Sequence, residues 1–163
     1  MAETVKDAWM IQFTAAGISS KFHFGQVDKA GKPYYEHPKR VAASIMAEYN
    51  FDIINDECKI FALKCSTVAY LHDVLEDTKC TEEYLRSRGI PDDVIDGIKS
   101  VTRNDDESYG DFVKRAAQNP FGKIVKLHDL MDNLDVKRLN HLTTEDLNRI
   151  NKYLKWYNYL KKS

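Results

Sequence analysis

Residues 69–78 of this sequence read Ala-Tyr-Leu-His-Asp-Val-Leu-Glu-Asp-Thr, so one imidazole and three carboxylates (His72, Asp73, Glu76, Asp77) follow directly on an apolar run. Burying that much charge is costly unless it is paired or bound to a metal ion. His72 and Asp73 diverge by about 100° around a helix, so both reach one ion only if it sits near the helix end. Asp73, Glu76 and Asp77 stand at i, i+3 and i+4 and share a face. Glu76 and Asp77 also oppose the helix macrodipole at a C-terminus, a conflict that a bound cation removes.

Two more pieces lie elsewhere in the chain. His37 precedes Pro38 and offers a second imidazole at a helix mouth. In the string KIVKLHDLMDN, residues 123–133, Asp129 and Asn133 stand one turn apart among core leucines. Two imidazoles and two carboxylates make a nitrogen–oxygen set suited to Mn²⁺, Fe²⁺ or Zn²⁺, with water filling the other positions. The plainer reading of the first string is a core histidine beside acids on a solvated helix end, and the His-Asp dipeptide by itself does not decide between the two.

The elements that must position these groups are helices. Helical spacing of Val5, Ala8, Trp9, Phe13 and Ala16 predicts a first helix over residues 2–24. Gly25, Gly31 and Pro33 mark residues 25–35 as a loop. A second helix is expected from His37-Pro38, with Pro38 at its first position and His37 pushed out of the helical basin by the proline after it. A third, apolar around much of its circumference and so the buried centre of a bundle, runs over residues 56–75. Short helices follow from Thr81 to Gly89, from Pro91, and from Ser108 to Gln118. A long one spans residues 121–139, and a last one starts near Thr144. No strand is predicted, and the fold class is an all-α bundle in a single domain, residues 1–163.

Composition narrows the function classes. Lysine and arginine number 24 against 25 acids, a net charge of −1, so no global basic field points to nucleic acid or membrane. No apolar run approaches membrane-spanning length, and residues 1–10 do not read as a secretory signal. Cys58, Cys65 and Cys80 form no CxxC pair, which speaks against zinc-ribbon and disulfide frameworks and fits a reducing cytoplasm. The loop of residues 25–31 lacks the GxxxxGK[ST] pattern of a P-loop. His23 is read as a structural group, His141 as surface, and Tyr153, Trp156 and Tyr157 as core and surface aromatics.

Three strings taken in order, HFGQVDKAGKPYYEHPKRVA, LHDVLEDT and KIVKLHDLMDN, resemble the HD hydrolase domain of RelA/SpoT proteins, and most closely the stand-alone small alarmone hydrolases. The resemblance implies an HD-type helical bundle with Mn²⁺ held by His37, His72, Asp73 and Asp129. It implies Glu76 and Asp77 as the catalytic acid pair, Lys29 as the substrate-loop lysine and Asn133 near the nucleoside. The implied activity is hydrolysis of the 3′-pyrophosphate of guanosine alarmones, (p)ppGpp, to GDP or GTP and pyrophosphate, on a small-molecule nucleotide substrate.

The chain departs from the family pattern in three places. Asp28 stands where a basic residue is common, His128 replaces a usual alanine, and the run Asp132-Asn133-Leu134-Asp135-Val136 lacks the family's arginine and threonine. Those losses keep open an HD phosphohydrolase for another nucleotide: (p)ppApp, a deoxynucleotide or NADPH. A catalytically silent nucleotide-binding module is the other alternative, and the presence of all four ligands and both acids argues against it. Oligomeric state is left open.

Overall fold

The computed structural model describes residues 3–163. Nine α-helices and one 3-10 turn account for most of them: α1 Val5–Phe22, α2 Glu36–Ala47, α3 Asp56–Leu71, α4 Val74–Asp77, α5 Glu82–Ser87, α6 Asp92–Val101, α7 Tyr109–Ala116, α8 Pro120–Leu134 and α9 Thr144–Lys162, with the turn at Val136–Arg138. The only β pairing among the described residues is an isolated bridge between Val27 and Pro33. The expected all-α bundle is the observed architecture. Residue 2, the expected start of the first helix, lies outside the described residues.

Local sequence sets most boundaries. Thr4 caps α1 and Thr143 caps α9, each in a reciprocal capping box with the aspartate three residues on. Asn55, Thr81, Ser108 and Asn119 accept backbone N–H groups at the starts of α3, α5, α7 and α8. Gly89, at φ 80°, takes the left-handed conformation that ends the turn after α5.

Three boundaries differ from the sequence expectation, and each bears on the site. His37 is helical, inside the first turn of α2, which begins at Glu36. Pro38, the third residue of α2 and two deeper than expected, is tolerated because the first four N–H groups of a helix have no intrahelical acceptor. The expected helix over residues 56–75 breaks after Leu71: the His72 ring takes the Ala69 carbonyl, at 2.6 Å, as its own acceptor, and α4 restarts at Val74. The expected helix over residues 121–139 ends at Leu134, where Asp135 leaves helical geometry at ψ 84° and its carboxylate accepts the Lys137 N–H to open the 3-10 turn.

The central helix is α3, with Leu63, Cys65, Val68, Ala69 and Leu71 completely buried. It packs against α1, α2, α6 and α8. Gln12 on α1 donates to Ser66 on α3 at 2.6 Å, so the polar pair inside that interface is satisfied. A smaller apolar cluster of Val113, Leu130 and Leu160 seats α9 on α7 and α8. Two glycines permit close approach. A Cβ on Gly110 would stand 2.5 Å from the Trp156 ring, and one on Gly122 would stand 2.1 Å from Ser100 Oγ and 2.8 Å from the Ala116 carbonyl. No helix is long and apolar enough to cross a membrane among the described residues.

Candidate metal centre and its clefts

Three helices deliver the central groups: α2 brings His37, the break after α3 brings His72 and Asp73, and α8 brings Asp129. His37 Nε2 lies 3.2 Å from His72 Nε2 and 3.2 Å from Asp129 Oδ1. Asp73 Oδ2 lies 2.9 Å from His72 Nε2 and 3.7 Å from His37 Nε2. The ligand atoms of His37, His72 and Asp129 all fall within 4.8 Å of one another. The structure thus brings together the four residues read from the sequence as a metal set.

The partners of the outer ring nitrogens fix the tautomers. His72 Nδ1 faces a backbone carbonyl, which only accepts, so Nδ1 carries the proton. His37 Nδ1 faces Asp132 Oδ2 at 2.7 Å, again an acceptor. In the neutral rings both Nε2 atoms are therefore bare lone pairs, aimed at each other and at two carboxylates. Four acceptors converging at these distances repel unless positive charge lies between them, so the residues fit a divalent metal ion.

The electrostatics point the same way. Burial would push the His37 ring down, yet hydrogen bonds to Asp129 and Asp132 and the charge of Asp73 raise it to about 10. Burial pushes Asp73 up, and the charge and hydrogen bond of His72 overcome it and hold the carboxyl at about 2. Asp129 behaves alike: burial raises it, and Lys126, His37 and His72 together hold it well below the usual carboxylate range. Carboxylates that stay ionised beside an imidazole that favours positive charge make a cluster that attracts a cation.

Several supporting residues were not anticipated. Asp132 grips the His37 ring and is itself held by Arg40, through Nε at 2.7 Å and Nη2 at 3.0 Å, and by Arg138. Buried Lys126 donates to Asp129 Oδ2 at 2.7 Å, and Tyr34 donates to Asp73 Oδ2 at 2.7 Å. Such outer partners orient ligands and set their basicity. The sequence held the signal: Lys126, Asp129 and Asp132 stand at i, i+3 and i+6 on one helix, and His37 and Arg40 at i and i+3.

Two clefts open from the centre and share Tyr34, His37, Asn133 and Tyr153. One, of about 290 Å³, contains Asp73, Glu76, Asp129 and the cations Arg103, Lys126 and Lys152. The other, of about 260 Å³, contains Lys29, Arg138 and Arg149. Tyr109 lies in the first cleft, and its buried hydroxyl has no hydrogen-bond partner. Tyr153, read from sequence as a packing residue, lies between the two.

The remaining expected residues are placed unequally. Glu76 lies in the first cleft and accepts the Arg103 N–H at 3.0 Å. Asp77 lies on the neighbouring shallow groove with Lys21, Phe22 and Gln26. Burial raises its carboxyl first, with the charges of Asp73 and Glu76 adding. Asn133 spends its amide donors on Asp129, at 2.6 Å to Oδ1 and 3.0 Å to the carbonyl. Lys29, 67 % exposed, stands at the mouth of the second cleft, 3.6 Å from Asp146. His23 is buried and binds Gln26 at 2.6 Å, and Gln26 in turn donates to the Asp77 carbonyl at 3.0 Å, tying the end of α1 to the end of α4.

No family model matches the chain. Among curated proteins it is 30 % identical over 145 residues to a GTP pyrophosphokinase of Myxococcus xanthus, which covers 81 % of this chain and 17 % of that protein. It is 35 % identical over 88 residues to the guanosine-3′,5′-bis(diphosphate) 3′-pyrophosphohydrolase of Haemophilus influenzae, covering 53 % of this chain and 11 % of that protein. The enzyme of that name from Aquifex aeolicus is 32 % identical over 120 residues, covering 69 % and 16 %. The chain therefore spans less than a fifth of the length of these relatives. A solved structure of a metazoan orthologue of SpoT, described as hydrolysing ppGpp, superposes with a TM-score of 0.70 at 24 % identity, covering 92 % of this chain and 84 % of that one. The chain therefore shares the all-α fold of that orthologue, and its sequence is similar, over part of their length, to the curated enzymes named above.

Proposed function

We propose that this chain is a Mn²⁺-dependent phosphohydrolase that removes the 3′-pyrophosphate of guanosine alarmones, converting (p)ppGpp to GDP or GTP and pyrophosphate. The observation that carries the reading is the convergence of His37 Nε2, His72 Nε2, Asp73 and Asp129 at the meeting point of two cation-lined clefts. The names of the relatives supply the substrate class.

His37, His72, Asp73 and Asp129 would hold the metal, which supplies Lewis acidity and lowers the pKa of water. Its oxygen- and nitrogen-rich ligand set suits Mn²⁺. Asp132 and the Ala69 carbonyl keep the two rings in the tautomer that presents Nε2. Glu76, in the same cleft as Asp73 and Asp129, orients the attacking water and accepts its proton. Asp77, one residue on, keeps a second carboxylate near that position and is the partner of Glu76 in the acid pair. Arg103, Lys126 and Lys152 offset the charge of the departing pyrophosphate, and the Tyr109 hydroxyl offers it a donor. Lys29 meets phosphate at the mouth of the other cleft. The Asn133 carbonyl, left over once its donors bind Asp129, faces the nucleoside side as an acceptor.

The test is a panel of ppGpp, ppApp, a deoxynucleoside triphosphate and NADPH, each with Mn²⁺, read by product separation. Fastest release of pyrophosphate from ppGpp supports the assignment. Turnover confined to another member of the panel replaces the substrate and keeps the HD chemistry.

A further inference from the structure

The outer face of α1 has no covering element. Trp9, Met10 and Phe13 are 37, 61 and 68 % exposed and stand at i, i+1 and i+4, so they share that face. Trp9 is held in place from behind, with ring centroids 6.1 Å from both Phe13 and Phe51. One turn beyond Phe13 on the same face stands Gly17, in the interior of the helix. A helical glycine costs roughly 0.5–1 kcal/mol relative to alanine. Nothing within the chain requires one here, since a Cβ at Gly17 would meet no atom within 4 Å and the residue has no positive φ.

We propose that this face is the interface of a two-fold homodimer in which α1 pairs antiparallel with α1 of a second copy, centred on Phe13. A two-fold at Phe13 sets Trp9 and Met10 of one copy against Gly17 and Ala16 of the other, and does so twice. The large side chains enter the hollow that the missing Cβ leaves, an isologous fit in which one surface supplies both knob and hole. Charge is sparse on the face: Lys6 at one end comes opposite Ser20, and the two helix dipoles run in opposition. Area is sufficient for a reversible dimer. The three side chains leave roughly 250–400 Å² of surface open, taking about 150–250 Å² for each whole side chain. A standard interface buries about 800 Å² per partner, about 65 % of it apolar at the core. Neighbouring Thr14, Ala16 and the Lys6 stem, along a helix about 27 Å long, add to this patch, which places the pair among the small, weak and reversible interfaces. The other large apolar side chains exposed on helices, Met131 on α8 and Leu147, Leu154 and Tyr159 on α9, have no glycine within one turn of them.

Sedimentation of the full chain over about 1 to 500 µM decides the matter. The expected result is a concentration-dependent dimer whose dissociation constant rises at least about tenfold in Phe13→Glu and in Gly17→Leu. Leu154→Glu serves as the control that leaves it unchanged. All three positions are open to solvent in the single chain, so circular dichroism should match wild type throughout. A wild type that stays monomeric across the range overturns the proposal, as does a dimer that survives both α1 variants. Neither outcome bears on the metal centre.

Discussion

His37 and His72 present their Nε2 atoms to one another at 3.2 Å, although they lie 35 residues apart, one in α2 and the other at the break after α3. Each ring is locked from behind by an acceptor, Asp132 for one and the Ala69 carbonyl for the other. Positive charge between the rings would hold that arrangement together, and most of the following predictions turn on it.

Purified protein should contain about one divalent transition metal per chain, and His72→Ala or Asp129→Ala should lose it. Chelation should lower the melting temperature, because a ligand at about 100 times its dissociation constant stabilises by roughly 2.7 kcal/mol. Equal metal content in wild type and both variants would sink the site.

Asp132→Asn should weaken metal binding about 10- to 100-fold without removing a ligand, since Asp132 fixes the tautomer of His37. Metal titration in a competing chelator reads the change. An affinity equal to wild type would show that the His37 ring is held by something else.

Much of this centre was legible in the sequence, and the rest was hidden for identifiable reasons. The four central residues stood out because charge beside apolar runs is conspicuous. Asp132 and Lys126 were overlooked because attention to the one-turn spacing of Asp129 and Asn133 passed over the neighbours at three residues. The break at His72-Asp73 carries no glycine or proline. It arises where a side chain takes a backbone carbonyl, which periodicity does not register. His37 was expected outside the helix because the rule for residues before proline is a preference, which the fold overrides here in the first turn of α2. The difference between Glu76 and Asp77 depends on the direction α4 takes after that break, so their adjacency in sequence concealed their different surroundings.

Glu76→Gln should keep the metal and lose turnover by about 10²–10⁴-fold, the range for a lost general base. Asp77→Asn, displaced from the cleft of the ligands, should lose less. A Glu76→Gln enzyme with near wild-type kcat would remove Glu76 from the proton transfer.

Of the three cysteines, Cys58 is exposed and Cys65 and Cys80 are buried. Burial pushes the Cys65 thiol up to about 12, so it holds its proton at neutral pH and does not react as a thiolate. A thiol reagent should therefore modify Cys58 rapidly in the native protein and the other two only after unfolding. Fast modification of Cys65 in native conditions would contradict the central placement of α3.

Gly122→Ala should destabilise the fold by about 1–3 kcal/mol, because its Cβ collides with Ser100 Oγ and with the Ala116 carbonyl. Ser100→Ala in the same chain should recover only part of the loss, since the backbone contact persists. Thermal melts of the single and double variants check this, and a Gly122→Ala protein as stable as wild type would mean that α6 and α8 are further apart than described.

The most direct measurement is product analysis of ppGpp incubated with the wild-type chain in Mn²⁺, after chelation, and with Asp129→Ala. Stoichiometric GDP and pyrophosphate from the first, and neither from the other two, is the predicted result. Pyrophosphate release that survives chelation and the loss of Asp129, or no release in any of the three, would contradict metal-dependent alarmone hydrolysis at this site.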